Sequence, residues 1–164
     1  MNLNIWVFQR MLSRRLTRWA GVSALIGSLL LRRRGFWRAV GGQFVGWAAV
    51  NLGIALFGSI SADHRRQRME SPDAPEVLAK EARSLRRLLW INAGLDLLYM
   101  FGGRWLARRD TPNRRGMGVG IVLQGLFLLI FDLWHALVLR ESPDEGTDAA
   151  SRRARPAADS RGGR

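Results

Sequence analysis

The feature that most constrains this chain is the placement of polar side chains inside long apolar segments. Asp96 stands within LLWINAGLDLLYMFGG, Asp132 within GVGIVLQGLFLLIFDLWHALVL and Asn51 within GGQFVGWAAVNLGIALFGSI. A carboxylate near the centre of a bilayer costs roughly 2.5–3.5 kcal/mol on insertion scales, so each such group must face protein or water and find a partner. The pattern predicts an all-α fold, a transmembrane four-helix bundle with polar groups turned to its interior.

Apolar runs and charges set the expected boundaries. Residues 1–18 form a basic amphipathic arm in which Ile5, Trp6, Phe8, Met11, Leu12 and Leu16 stand among Arg10, Arg14, Arg15 and Arg18. Such a segment suits a helix lying at the membrane interface or one leading into the first span. The membrane domain is expected over 19–140, with helices at about 19–31, 41–60, 88–106 and 117–139. The first is short for a hydrocarbon core of about 30 Å, so it crosses only if Arg18 and Arg32 snorkel or the bilayer thins. Its apolar run ends in Arg32-Arg33-Arg34 with no small-x-small cleavage site, which favours an uncleaved helix over a signal peptide.

The second run is uncharged from Ala39 to Ala62, and Gly42 with Gly46 offers a small-xxx-small face for close helix contact. A polar connection over 61–87 follows, in which Asp73 and Glu76 have capping-box spacing. Gly116-x-Gly118-x-Gly120 opens the fourth helix without the strand that a phosphate loop requires, so close helix packing is its reading. Trp6, Trp19, Trp37, Trp90, Trp105 and Trp134 fall near helix ends, as an interfacial aromatic belt predicts. Residues 141–164 are too polar to build a core and read as a disordered tail.

Charge supplies orientation and partners. The chain carries 26 basic residues against 13 acidic, and the first acid is Asp63. An even number of spans puts both termini on one side. The arm, the middle connection and the tail then hold 17 basic residues against 8 in the two outer loops. That bias predicts both termini in the cytoplasm, with the outer loop RRRGFWR as a counterexample. Anionic lipid headgroups are the expected partner, with a homo-oligomer or another membrane protein beside them. No nucleic-acid motif accompanies the charge, so nucleic acid is not expected. The absence of cysteine excludes disulfides, thiolate chemistry and cysteine-ligated metals, and no metal or cofactor is expected. Ser23, Ser28 and Ser59 have no histidine at helical spacing, so no catalytic residue is assigned and the chain is not expected to be an enzyme.

An internal echo accompanies these segments. Gln43 precedes Asn51 by eight residues, and Gln124 precedes Asp132 by the same interval. Ser23 and Gly27 line up with Asn92 and Asp96, as two same-orientation hairpin repeats would produce. The strings QFVGWAAVNLGIALFG, LRRLLWINAGLDLLY and GMGVGIVLQGLFLLIFD resemble an uncharacterised family of small bacterial four-helix membrane proteins, a domain of unknown function. The resemblance covers about residues 15–140. It implies a bacterial inner membrane and four spans, and it lends no activity. An acid is common in that family where this chain has Asn51.

At 1.5 Å per residue from the cytoplasmic end, Asn92 and His135 lie about 6 Å deep, and Asp132, Asp96 and Asn51 about 10–14 Å. These five side chains form the candidate ligand or ion cluster, with Gln43, Gln124 and Tyr99 as secondary polar positions. Asn92, Asp96 and Tyr99 share one helical stripe, Gln124, Asp132 and His135 a second, and Gln43 with Asn51 a third. Two readings follow. The groups tie helices together as hydrogen-bonding glue. Alternatively they serve a small transporter or a proton-, ion- or ligand-binding bundle, in which Asp132 and His135 share a cation or proton with Asp96.

Overall fold

The structure is a computed structural model that describes residues 4–139, and among these it contains four helices and no strand. They are α1 (Ile5–Leu31), α2 (Phe36–Gln67), α3 (Pro75–Ala107) and α4 (Pro112–Val138). The expected tail over 141–164 lies outside the described residues.

Each helix boundary has a local cause. Asn4 caps α1 by accepting the Trp6 backbone N–H at 3.0 Å. Gly35, at φ +57°, supplies the left-handed backbone that turns the chain from α1 into α2. Pro75 and Pro112 open α3 and α4 in the first turn, where a missing N–H costs nothing. The capping box expected at Asp73 does not form. The helix begins at Pro75 behind Ala74, one residue too late for Asp73 to cap it. Asp73 instead accepts from the Asn4 side chain at 3.4 Å and from Arg66 at 3.5 Å.

Both hairpins turn on four residues, 32–35 and 108–111, so α1 lies antiparallel to α2 and α3 to α4. The hairpins meet where α2 lies alongside α4, while α1 barely touches α3. Glycines set the approach. A Cβ on Gly27 would fall 2.8 Å from the Gly41 carbonyl oxygen, and one on Gly103 would fall 3.0 Å from that of Gly118. Along the start of α4, Gly116 and Gly120 close against Phe36, Ala39 and Gln43 of α2, and Gly118 closes against Gly103 and Ala107 of α3. Gly42 and Gly46, expected to make such a contact, instead face outward with nothing near them. One step along the helix, at Gly41, is the face that meets α1.

The arm expected over 1–18 is continuous with the following apolar run, both lying in α1. Most of its apolar side chains do not lie on a surface, Val7 being the exposed one among the described residues. Ile5, Trp6 and Phe8 are buried with Ala62, Leu89, Ala136 and Leu139 in a core at one end of the bundle, flanked by Met69, Val77 and Leu78. Most of the 61–87 connection is accordingly helical, and its apolar side chains close this core. Trp6 donates its indole N–H to the Pro72 carbonyl at 3.0 Å, so it is a core residue and not a belt residue.

Above that core the polarity inverts. Leu25 and Leu29 of α1, Leu56 and Phe57 of α2, Leu98 and Phe101 of α3, and Ile130 and Trp134 of α4 are exposed. Ser23, Asn51, Asp96, Gln124, Asp132 and His135 are buried. The exposed apolar residues make a band on all four helices, with Trp37, Trp90, Trp105 and Trp134 among them. Two helices, α2 and α4, are long and apolar enough to cross a membrane. Arginines in α1, and Asn92, Asp96 and Arg104 in α3, lower the hydropathy of the other two.

Candidate functional site

The eight polar positions singled out in the sequence do not assemble as one constellation. Seven side chains at or near them form three couples, the first of them joined by a third side chain, and α4 contributes to each.

The most deeply buried couple joins the hairpins. Gln124 is fully buried, donates its amide N–H to Ser23 Oγ at 3.2 Å and accepts the Trp19 indole N–H at 3.2 Å. The Trp19 ring stacks on Phe127 with centroids 3.6 Å apart. Trp19 is therefore a bundle clamp and not an interfacial anchor.

One turn beyond Phe131 sits His135. Its Nδ1 lies 2.6 Å from the Phe131 carbonyl oxygen and its Nε2 lies 3.1 Å from an Arg15 guanidinium nitrogen. A carbonyl only accepts and a guanidinium only donates, so the two contacts assign the proton to Nδ1 and the lone pair to Nε2. Phe8 meets the ring edge-on and Phe131 covers it at an angle. His135 is thus paired with Arg15.

The third couple is Asp96 and Asp132, on α3 and α4, two buried carboxyls close enough to interact. Two carboxylates cannot hydrogen-bond without a proton between them. The Asp96 Oδ2 is buried and has no donor. Asn51 and the Gln9 Oε1 are also unsatisfied among the described residues, and Asn51 is the more complete case. It is fully buried, and neither its amide oxygen nor its nitrogen has a hydrogen-bond partner. Asn92 and Gln43 are half-buried, with Gln43 lying over Gly120, and Tyr99 is exposed with its ring edge-on to Trp47. Among the described residues no three His, Cys, Asp or Glu side chains stand close enough to hold a metal ion.

A family model matches residues 15–133. The chain belongs to DUF6992, a family of unknown function. The matched segment takes in Arg15, Ser23, Asn51, Asp96, Gln124 and Asp132, and it stops short of His135. No curated protein and no solved structure matches the chain.

The partners that sequence reasoning missed are Arg15 and Trp19, with Ser23 noted for its echo of Asn92 and its lack of a histidine but not as a partner of Gln124. A signal was present: Arg15, Trp19 and Ser23 stand at i, i+4 and i+8, one stripe of α1. That stripe runs against Gln124, Phe127 and His135 of α4. Arg15 was hidden because it reads as one more charge in a basic arm.

Proposed function

We propose that this DUF6992 member is a small integral membrane protein of the bacterial inner membrane, crossing it four times with both termini in the cytoplasm. It serves as a structural or interaction bundle, either as a homo-oligomer or as a small subunit of a larger assembly. The observation that carries this reading is the inverted polarity of the upper bundle. Leu25, Phe57, Leu98 and Ile130 lie outside while Ser23, Asn51, Asp96 and Gln124 lie inside. In water that arrangement would expose a large apolar surface and bury groups that prefer solvent. In lipid it is the favourable one, because polar side chains then bond across helices.

The Gln124 and His135 couples have the form of such glue. Each ties α4 to α1, the helix with the shortest apolar face. Resistance to alkaline carbonate extraction tests membrane integration. Reporter fusions at Arg66, Thr111 and the C-terminus test topology and should read in, out and in. A periplasmic C-terminus with a cytoplasmic Thr111 would leave three spans, with α1 lying on the membrane.

A second reading is favoured by one observation, the facing carboxyls of Asp96 and Asp132 beside an Asp96 oxygen with no donor. Such a pair holds a proton or a small cation, which fits a proton- or ion-conducting bundle. Reconstituted vesicles decide between the readings. Proton flux or cation binding that Asp96→Asn abolishes without loss of fold supports conduction, and its absence in the wild type leaves the structural role.

A further inference from the structure

On α1 a second stripe lies beside the one that faces α4. Arg10, Arg14 and Arg18, at i, i+4 and i+8, line a groove of about 440 Å³ between α1 and α2. Ser13, Thr17 and Ser59 add hydroxyls, and Ala55 with Leu56 forms an apolar wall. All three arginines are exposed, and among the described residues none is within ion-pair distance of a carboxylate. Asp63 lines one mouth of the groove without reaching any of them.

The register between the helices gives the groove its depth. Gly27 abuts Gly41, and Ser13 reaches to 4.0 Å from the Cβ position of Gly58. Interpolating between these contacts sets Arg14 level with Phe57 and Arg18 level with Leu52. Phe57 is 75% exposed, and Leu52 and Ile60 are also exposed apolar residues. At 1.5 Å per residue Arg18 stands about 12 Å above Ile60, within the height at which the other helices present apolar faces. Arg10 lies at the rim by the same register and Arg14 between, so a stripe that ends at Arg18 needs a counter-charge that itself belongs in the membrane.

We propose that the α1–α2 groove binds the phosphate of an anionic glycerophospholipid from the cytoplasmic leaflet. The arginines hold the phosphate oxygens and the Ser13 and Thr17 hydroxyls donate to them, since Ser59 already donates to the Leu56 carbonyl at 2.9 Å. The acyl chains run along Ala55, Leu56 and the exposed face of α2. This rests on the membrane reading given above. Guanidinium and phosphate are matched in geometry as well as charge, which distinguishes the site from a diffuse basic surface.

The test uses purified full-length protein in a neutral detergent, titrated with phosphatidylglycerol, phosphatidylcholine or soluble glycerol phosphate while thermal unfolding is followed. At about 1 kcal/mol per basic residue, three arginines favour phosphatidylglycerol over phosphatidylcholine by about a hundredfold in apparent affinity. The triple variant Arg10→Gln, Arg14→Gln, Arg18→Gln should lose that preference. Arg114→Gln with Arg115→Gln, at the other end of the bundle, should keep it. If the triple variant does not fold, Arg18→Gln alone should weaken the preference several-fold. Equal affinity for the two lipids in the wild type, or a preference that survives the triple variant, overturns the site. An equal effect of glycerol phosphate would mean a soluble-anion site and overturns the lipid assignment. Release of the protein by alkaline carbonate overturns the membrane reading and the site with it, whereas a carbonate-resistant protein without lipid preference overturns the site alone.

Discussion

In the α1–α2 hairpin Gly27 closes on Gly41, and the charges Arg10, Arg14 and Arg18 turn outward into a groove. In the α3–α4 hairpin Gly103 closes on Gly118, and the charges Asp96 and Asp132 turn inward to face each other. The two hairpins thus share a backbone device and differ in where they put charge. Glycine lets two backbones approach whatever the side chains on the other faces are, so hairpin geometry and charge placement are set independently. On the proposed membrane reading, depth explains the difference. Long arginine side chains near one end of a span can reach headgroups, whereas a short aspartate cannot and must be covered by protein.

The sharpest way to break the comparison is to fill the shared device. A Cβ on Gly118 collides with the backbone of Gly103 and Ala107, and one on Gly41 comes within 2.7 Å of the Gly27 carbonyl oxygen. Gly118→Leu and Gly41→Leu should each cost more than about 3 kcal/mol, seen as loss of monodisperse protein in detergent. Should either variant melt like the wild type, glycine contact is not what holds that hairpin.

The carboxyl pair comes next. Asp132→Leu leaves Asp96 buried without its partner and should lower stability by about 1–3 kcal/mol. The double variant Asp96→Leu, Asp132→Leu removes both groups and should recover most of that loss. A thermal double-mutant cycle with simply additive effects would show that the two carboxyls do not interact.

The seam between the hairpins should respond more mildly. Gln124→Leu strands the Trp19 indole N–H and Ser23 hydroxyl, at a cost of about 1–2 kcal/mol. The same substitution at the echoed position, Gln43→Leu, should cost less, since Gln43 is half-buried. Equal losses at the two positions would mean that the clamp geometry does not matter.

The smallest effect belongs to Gly46, where an added Cβ meets nothing within 4 Å. Gly46→Ala should leave the melting temperature unchanged or raise it slightly, because alanine is the better helix former. A large drop would reveal a contact on the outer face of α2.

How much of this was legible in the sequence varies by element. The apolar runs bounded by arginines marked four helices, and the polar residues within them fell on interior faces. Periodicity alone supports both inferences, since a helix repeats every 3.6 residues whatever surrounds it. The start of α1 was harder to place. Ile5, Trp6 and Phe8 among arginines suit an interface as well as a core, and only the return of α2 and α3 past that end buries them.

What the sequence determined by itself is the list of groups that cannot face lipid and the helices that carry them. Tertiary structure alone decided which group meets which. The stripe containing Gln124 and His135 could be read from spacing, but not that Ser23, Trp19 and Arg15 would answer it. Nor could spacing choose Gly41 over Gly42 and Gly46 as the crossing point. The physical reason is that partners across helices depend on rotation, tilt and register. These are fixed where backbones touch, at Gly27 on Gly41 and Gly103 on Gly118, and a shift of one residue there turns each stripe by about 100°.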